Sequence, residues 1–179
     1  LNRNSAYYDL LLKVAQLAFD MMLPVPGAGA YKFQDITRNE REMARVFEAF
    51  VRNFYKLEQS EFKVEPLTIS WDALPLEHGE GDRLPSMRVD VFLRSSRRQL
   101  IIDTKYYLEA LQIHHGATSF RSENLYQLFS YLKNHHVGIP LGTQLDGMLL
   151  YPQVGSQFDA QFAIQGSKVR LATVDLGRP

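Results

Sequence analysis

A chain of 179 residues, 45% of them hydrophobic, is long enough to bury a core of its own without covalent staples. It has no cysteine, which excludes disulfides and thiolate metal sites. Its 20 basic residues balance 20 acidic ones, which excludes gripping nucleic acid by net positive charge and leaves only local basic patches, such as Arg94, Arg97 and Arg98, or Lys105 with Arg121.

The apolar stretch between Tyr7 and Leu23 is interrupted by Asp9, Lys13, Gln16 and Asp20 at helical intervals. It reads as an amphipathic helix over residues 5–22 and not as a membrane span. No secretory signal is present, so the expected location is the cytoplasm, with no membrane partner. Pro24, Pro26, Gly27 and Gly29 end this helix. Because the first residue is Leu1, the chain reads as a piece of a longer one. A second helix is expected from Thr37 or Asn39, either a credible cap, through Met43, Phe47, Phe50, Val51, Phe54 and Tyr55, whose stripe should lie on a sheet. A strand over 67–71 follows, and residues 72–85, rich in Pro, Gly and acidic side chains, read as a loop.

The segments 87–93, Met-Arg-Val-Asp-Val-Phe-Leu, and 100–107, Leu-Ile-Ile-Asp-Thr-Lys-Tyr-Tyr, have the composition of buried strands but carry charge inside. The polar stretch Ser95, Ser96, Arg97, Arg98 makes a hairpin loop between them. With a four-residue loop, Arg94 faces Gln99, and counting back sets Asp90 opposite Asp103. Opposed carboxylates repel, and burial pushes one to keep its proton unless a cation sits between them. Lys105, two residues past Asp103, shares its face. Two carboxylates for a divalent metal and a lysine for developing negative charge make a hydrolytic site for a phosphodiester. A solvent-facing Asp-x-Lys on an inert strand is the plain alternative.

Residues 108–122 lose periodicity and read as a mobile loop carrying His114 and His115, which are solvated or touch a metal or phosphate. A third helix over about 123–136 buries Leu125, Leu128, Phe129 and Leu132, with Gln127 and Tyr131 four apart on a second face. Strands are expected at 147–151, 158–164 and 169–174. A right-handed crossover sets the first of these parallel to the strand that carries Asp103. The fold class is therefore α/β, a mixed central sheet flanked by helices.

A strand Asp, a hairpin, Asp-x-Lys and then a helix with Gln-x-x-x-Tyr resembles the PD-(D/E)XK nuclease superfamily: Asp90, Asp103-Thr104-Lys105, Gln127-Leu-Phe-Ser-Tyr131. Val89 stands where proline often precedes the first Asp. The runs Tyr31-Lys-Phe-Gln-Asp-Ile-Thr-Arg-Asn-Glu-Arg-Glu-Met43, Asn124-Leu-Tyr-Gln-Leu-Phe-Ser-Tyr-Leu132 and Leu149-Leu-Tyr-Pro152, with the Asp-Thr-Lys strand, resemble the C-terminal portion of the McrC family, nuclease subunits of the McrBC modification-dependent restriction systems. The resemblance implies a single restriction-endonuclease-like domain over residues 1–179, with a helical segment at about 1–60 packed on the sheet.

It also implies a Mg²⁺-dependent DNA endonuclease, with Mn²⁺ a possible substitute, acting on DNA that contains 5-methylcytosine and is delivered by a GTP-driven McrB-like motor. Asp90, Asp103, the Thr104 carbonyl and, from the helix before the sheet, Glu48 would hold the metal. Lys105 would orient water or stabilise the transition state, and Gln127 and Tyr131 would position the lysine or a phosphate. A helix-surface role for Glu48 is the alternative. An inactive scaffold of nuclease ancestry and an interaction module within the restriction complex are the competing functions.

Overall fold

In a computed structural model, residues 40–76, 83–107, 110–114, 117–154 and 156–176 are described. The expected helix over 5–22, its terminators, the Thr37 or Asn39 cap and His115 lie outside the described residues. The elements are α1 (Glu40–Glu58), β1 (Lys63–Ile69), β2 (Met87–Arg94), β3 (Arg98–Thr104), β4 (Leu111–His114), β5 (Ala117–Phe120), α2 (Ser122–His136), β6 (Gln144–Pro152), β7 (Asp159–Ile164) and β8 (Ser167–Val174). Six strands form one mixed sheet in the order β1-β2-β3-β6-β8-β7, and β4 and β5 form a separate hairpin.

The β3–α2–β6 crossover makes β3 and β6 parallel, and β8 continues the parallel centre. The outer pairs are antiparallel. Alternation along the central strands buries both faces. Ile101, Leu149, Tyr151, Val169 and Leu171 pack with Leu128, Tyr131 and Leu132 of α2, while Val91, Leu93, Ile102 and Met148 pack with Phe47 and Val51 of α1. Both helices carry acidic residues in the first turn and basic ones in the last, matched to the helix dipole.

Three expectations are corrected. The first strand runs Lys63–Ile69 and not 67–71. Residues 108–122 contain the β4–β5 hairpin, too short to show a period in sequence. Phe54, placed on the buried stripe of α1, is about half exposed.

The β2–β3 register is Arg94↔Gln99, Leu93↔Leu100, Phe92↔Ile101 and Val91↔Ile102, as the loop length requires. Pairing stops there, one step short of Asp90 and Asp103. On its other side β2 is bulged: Phe92 faces Glu65 and Val89 faces Leu67, so Asp90 and Val91 together oppose the single residue Pro66. The bulge reverses the alternation. Val89 belongs to the α2-side core and Val91 to the α1-side core, although both are odd-numbered.

Candidate active site

The site forms where β2 and β3 part. Thr104 turns its backbone N–H and its hydroxyl to one oxygen of Asp90, Oδ2, each at 2.8 Å. A carboxylate thus takes the donor that a ladder carbonyl would otherwise receive, which fixes Asp90 at the mouth of the opening. Asp103, 1% exposed, points to the α2 face, the face Ile101 also uses. Burial pushes its carboxyl up to about 6; the Lys105 ammonium opposes the shift, and the charges of Asp90 and Glu48 add to it.

Lys105 Nζ stands 2.8 Å from Asp103 Oδ2 as an ion pair, and no other group among the described residues donates to this buried oxygen. Lys105 also donates to Gln127 Oε1 at 2.6 Å. Gln127 Nε2 donates to the Tyr131 hydroxyl at 2.7 Å, which donates in turn to the Arg88 carbonyl at 3.3 Å. One turn of α2 therefore ties the ammonium back to β2, two residues before Asp90. Tyr131 is 5% exposed, and burial pushes its hydroxyl up to about 12, keeping it a donor.

A buried carboxylate oxygen met only by an ammonium among the described residues, beside a second carboxylate, fits a hard divalent cation, which needs only one or two such ligands. Asp90 and Asp103 could supply them, with the Thr104 peptide alongside. No three His, Asp or Glu side chains converge on one point among the described residues. The Glu48 carboxylate is engaged by Arg52, one helical turn on, and lies 3.8 Å from Arg88. The His114 side chain lies outside the described atoms.

The hairpin arginines are not part of this site. Arg94 forks onto Glu65, both bonds at 2.8 Å, and Arg98 pairs with Asp146 at 3.5 Å. They sit at the turn, roughly 15 Å along the strand from Asp103 at about 3.3 Å per residue. Arg121 does lie near the opening, its guanidinium 4.3 Å from the Tyr107 ring centre. The sequence reading missed Asn124, buried on α2, which accepts from Tyr107 at 3.2 Å and donates to Tyr151 at 3.3 Å. It also missed Arg52, which reads as an ordinary exposed helix residue. The mid-strand Pro66 was the available signal for a bulge beside Asp90.

Residues 1–152 match the model of the McrBC 5-methylcytosine restriction system component family. The chain is 32% identical over 176 residues to the Type IV methyl-directed restriction enzyme EcoKMcrBC of Escherichia coli strain K12, an alignment covering 98% of this chain and 50% of that relative. It thus spans about half the length of the curated relative it matches. The chain belongs to the McrBC restriction-component family, as a McrC-type member.

Proposed function

We propose that this chain is the Mg²⁺-dependent endonuclease domain of a McrC-like restriction subunit, cutting phosphodiester bonds in 5-methylcytosine-containing DNA delivered by a GTP-driven McrB-like motor in the cytoplasm. The observation that carries the reading is the lysine held between the buried Asp103 and the Gln127–Tyr131 relay, beside Asp90. An inert sheet has no use for a charge so fixed. When bound, Mg²⁺ supplies a Lewis acid against the scissile phosphate. Asp90 and Asp103 hold it; Glu48, turned to Arg52, is an outer contributor. Lys105 presents its ammonium to the charge that develops on the phosphate, and Gln127 and Tyr131 keep it there without reorganisation.

The test is Mg²⁺ titration by calorimetry, followed by DNA cleavage with the motor partner and GTP. Lys105→Ala should abolish cleavage while Mg²⁺ binding persists. A wild-type chain that neither binds Mg²⁺ nor cuts would favour an inactive scaffold.

A further inference from the structure

We propose that Arg52 is a positioning residue that holds the β-bulge of β2, and through it Asp90, in the geometry the site needs. The bulge sets Asp90 and Val91 against Pro66 alone, a residue with no N–H to offer a carbonyl of either. An unpaired backbone carbonyl at this depth is costly. Arg52 reaches across from α1 and donates to that carbonyl twice, from Nε at 3.1 Å and from Nη2 at 2.8 Å. Its guanidinium is oriented by Glu48 on the same helix.

The clamp has a consequence on the opposite side of β2. Fixing the Asp90 peptide fixes where its side chain leaves the strand, and that side chain receives both Thr104 donors. Pro66, Arg52 and Glu48 thus form one device: the proline removes the sheet's own partner, the arginine replaces it, and the glutamate aims the arginine. Lysine cannot substitute fully, because one ammonium lacks the planar fork that meets the carbonyl and the carboxylate together. This inference rests on the nuclease reading for its catalytic meaning, but not for its geometry.

Amide hydrogen exchange of the metal-free chain tests the geometry without metal or DNA. Arg52→Ala should speed exchange at the Thr104 amide at least tenfold, while core amides such as Leu149 and Leu171 keep their rates. Arg52→Lys should fall between, and millimolar guanidinium should slow Thr104 exchange in the alanine variant. Mg²⁺ calorimetry then asks whether affinity falls alongside, at least tenfold for Arg52→Ala. Unchanged Thr104 exchange, or acceleration equal to that of the core amides with no guanidinium rescue, overturns the proposal. So would a pure loss of DNA affinity with a shallower salt dependence, which would make Arg52 a phosphate contact. Selective acceleration at Thr104 in a chain whose wild type binds no Mg²⁺ would uphold the clamp and defeat the nuclease reading instead.

Discussion

Asp103 concentrates the electrostatic cost of the site in one side chain. Its carboxyl is raised from an ordinary 3.8 to about 6, chiefly by burial. Because the folded state then holds the proton more tightly than the unfolded chain, this group's favourable contribution is fully present below about pH 4 and is lost as pH rises through 6. Two pH units correspond to at most about 3 kcal/mol. Urea unfolding in chelator should therefore show Asp103→Asn gaining on the wild type between pH 4.5 and 7.5, and saturating Mg²⁺ should erase the difference in slope. A constant offset across that range would show that Asp103 ionises normally. Lys105→Ala follows the same logic. With its cation gone Asp103 takes up a proton more readily, so the melting temperature should stay near wild type at pH 5 and fall at pH 8. Equal melting shifts at both pH values would mean that the Lys105–Asp103 pair carries no pH-linked energy.

Between elements, the decisive contact is α2 on β6. Gly147 lies under the helix, and a Cβ there would stand 3.0 Å from Leu132 Cδ1 and 3.1 Å from Leu128 Cδ2. Both leucines are buried, so their methyl groups must shift by a few tenths of an ångström within a packed layer to admit the new one. Gly147→Ala should lower stability by about 1–3 kcal/mol, as overpacking does, and by lifting α2 it should loosen Gln127 from Lys105. A smaller urea midpoint with unchanged dependence on denaturant, together with reduced cleavage, is the expected result; wild-type stability would mean that the leucines repack freely. The helix itself was legible from its stripe, and the hairpin register from its loop length, because both depend on local periods that the sequence carries directly. The bulge was not. The run Val-Asp-Val-Phe-Leu is apolar on both faces, as a doubly covered strand should be, so no alternation marks where the parity reverses; only Pro66, far away in sequence, does. The bond from Arg52 to Asp90 was hidden for the same reason, since it joins residues 38 apart through a backbone atom.

At the scale of the whole molecule, the pieces of the candidate site come from α1, β2, β3 and α2, and the sequence already ordered five of its members: Asp90, Asp103, Lys105 and the Gln127–Tyr131 pair. What it could not order was the charge around them. Net charge is zero, and several arginines are already committed: Arg52 to Glu48 and the Asp90 carbonyl, Arg94 to Glu65, Arg170 to Asp159. Near the site lies a groove of about 310 Å³ whose lining includes Lys56 and Arg88, the latter 77% exposed and 3.8 Å from Glu48. Two or three phosphate contacts release few counterions, so binding should be weak and should fall with a correspondingly shallow salt slope. Phosphate contacts also carry no base identity. The isolated chain should therefore bind methylated and unmethylated duplexes of one sequence equally, and Arg88→Ala should weaken both alike. Competition binding at fixed salt measures this: a preference of about tenfold, roughly 1.4 kcal/mol, for the methylated duplex would place base readout in this domain and remove the need for a partner to find the modified site.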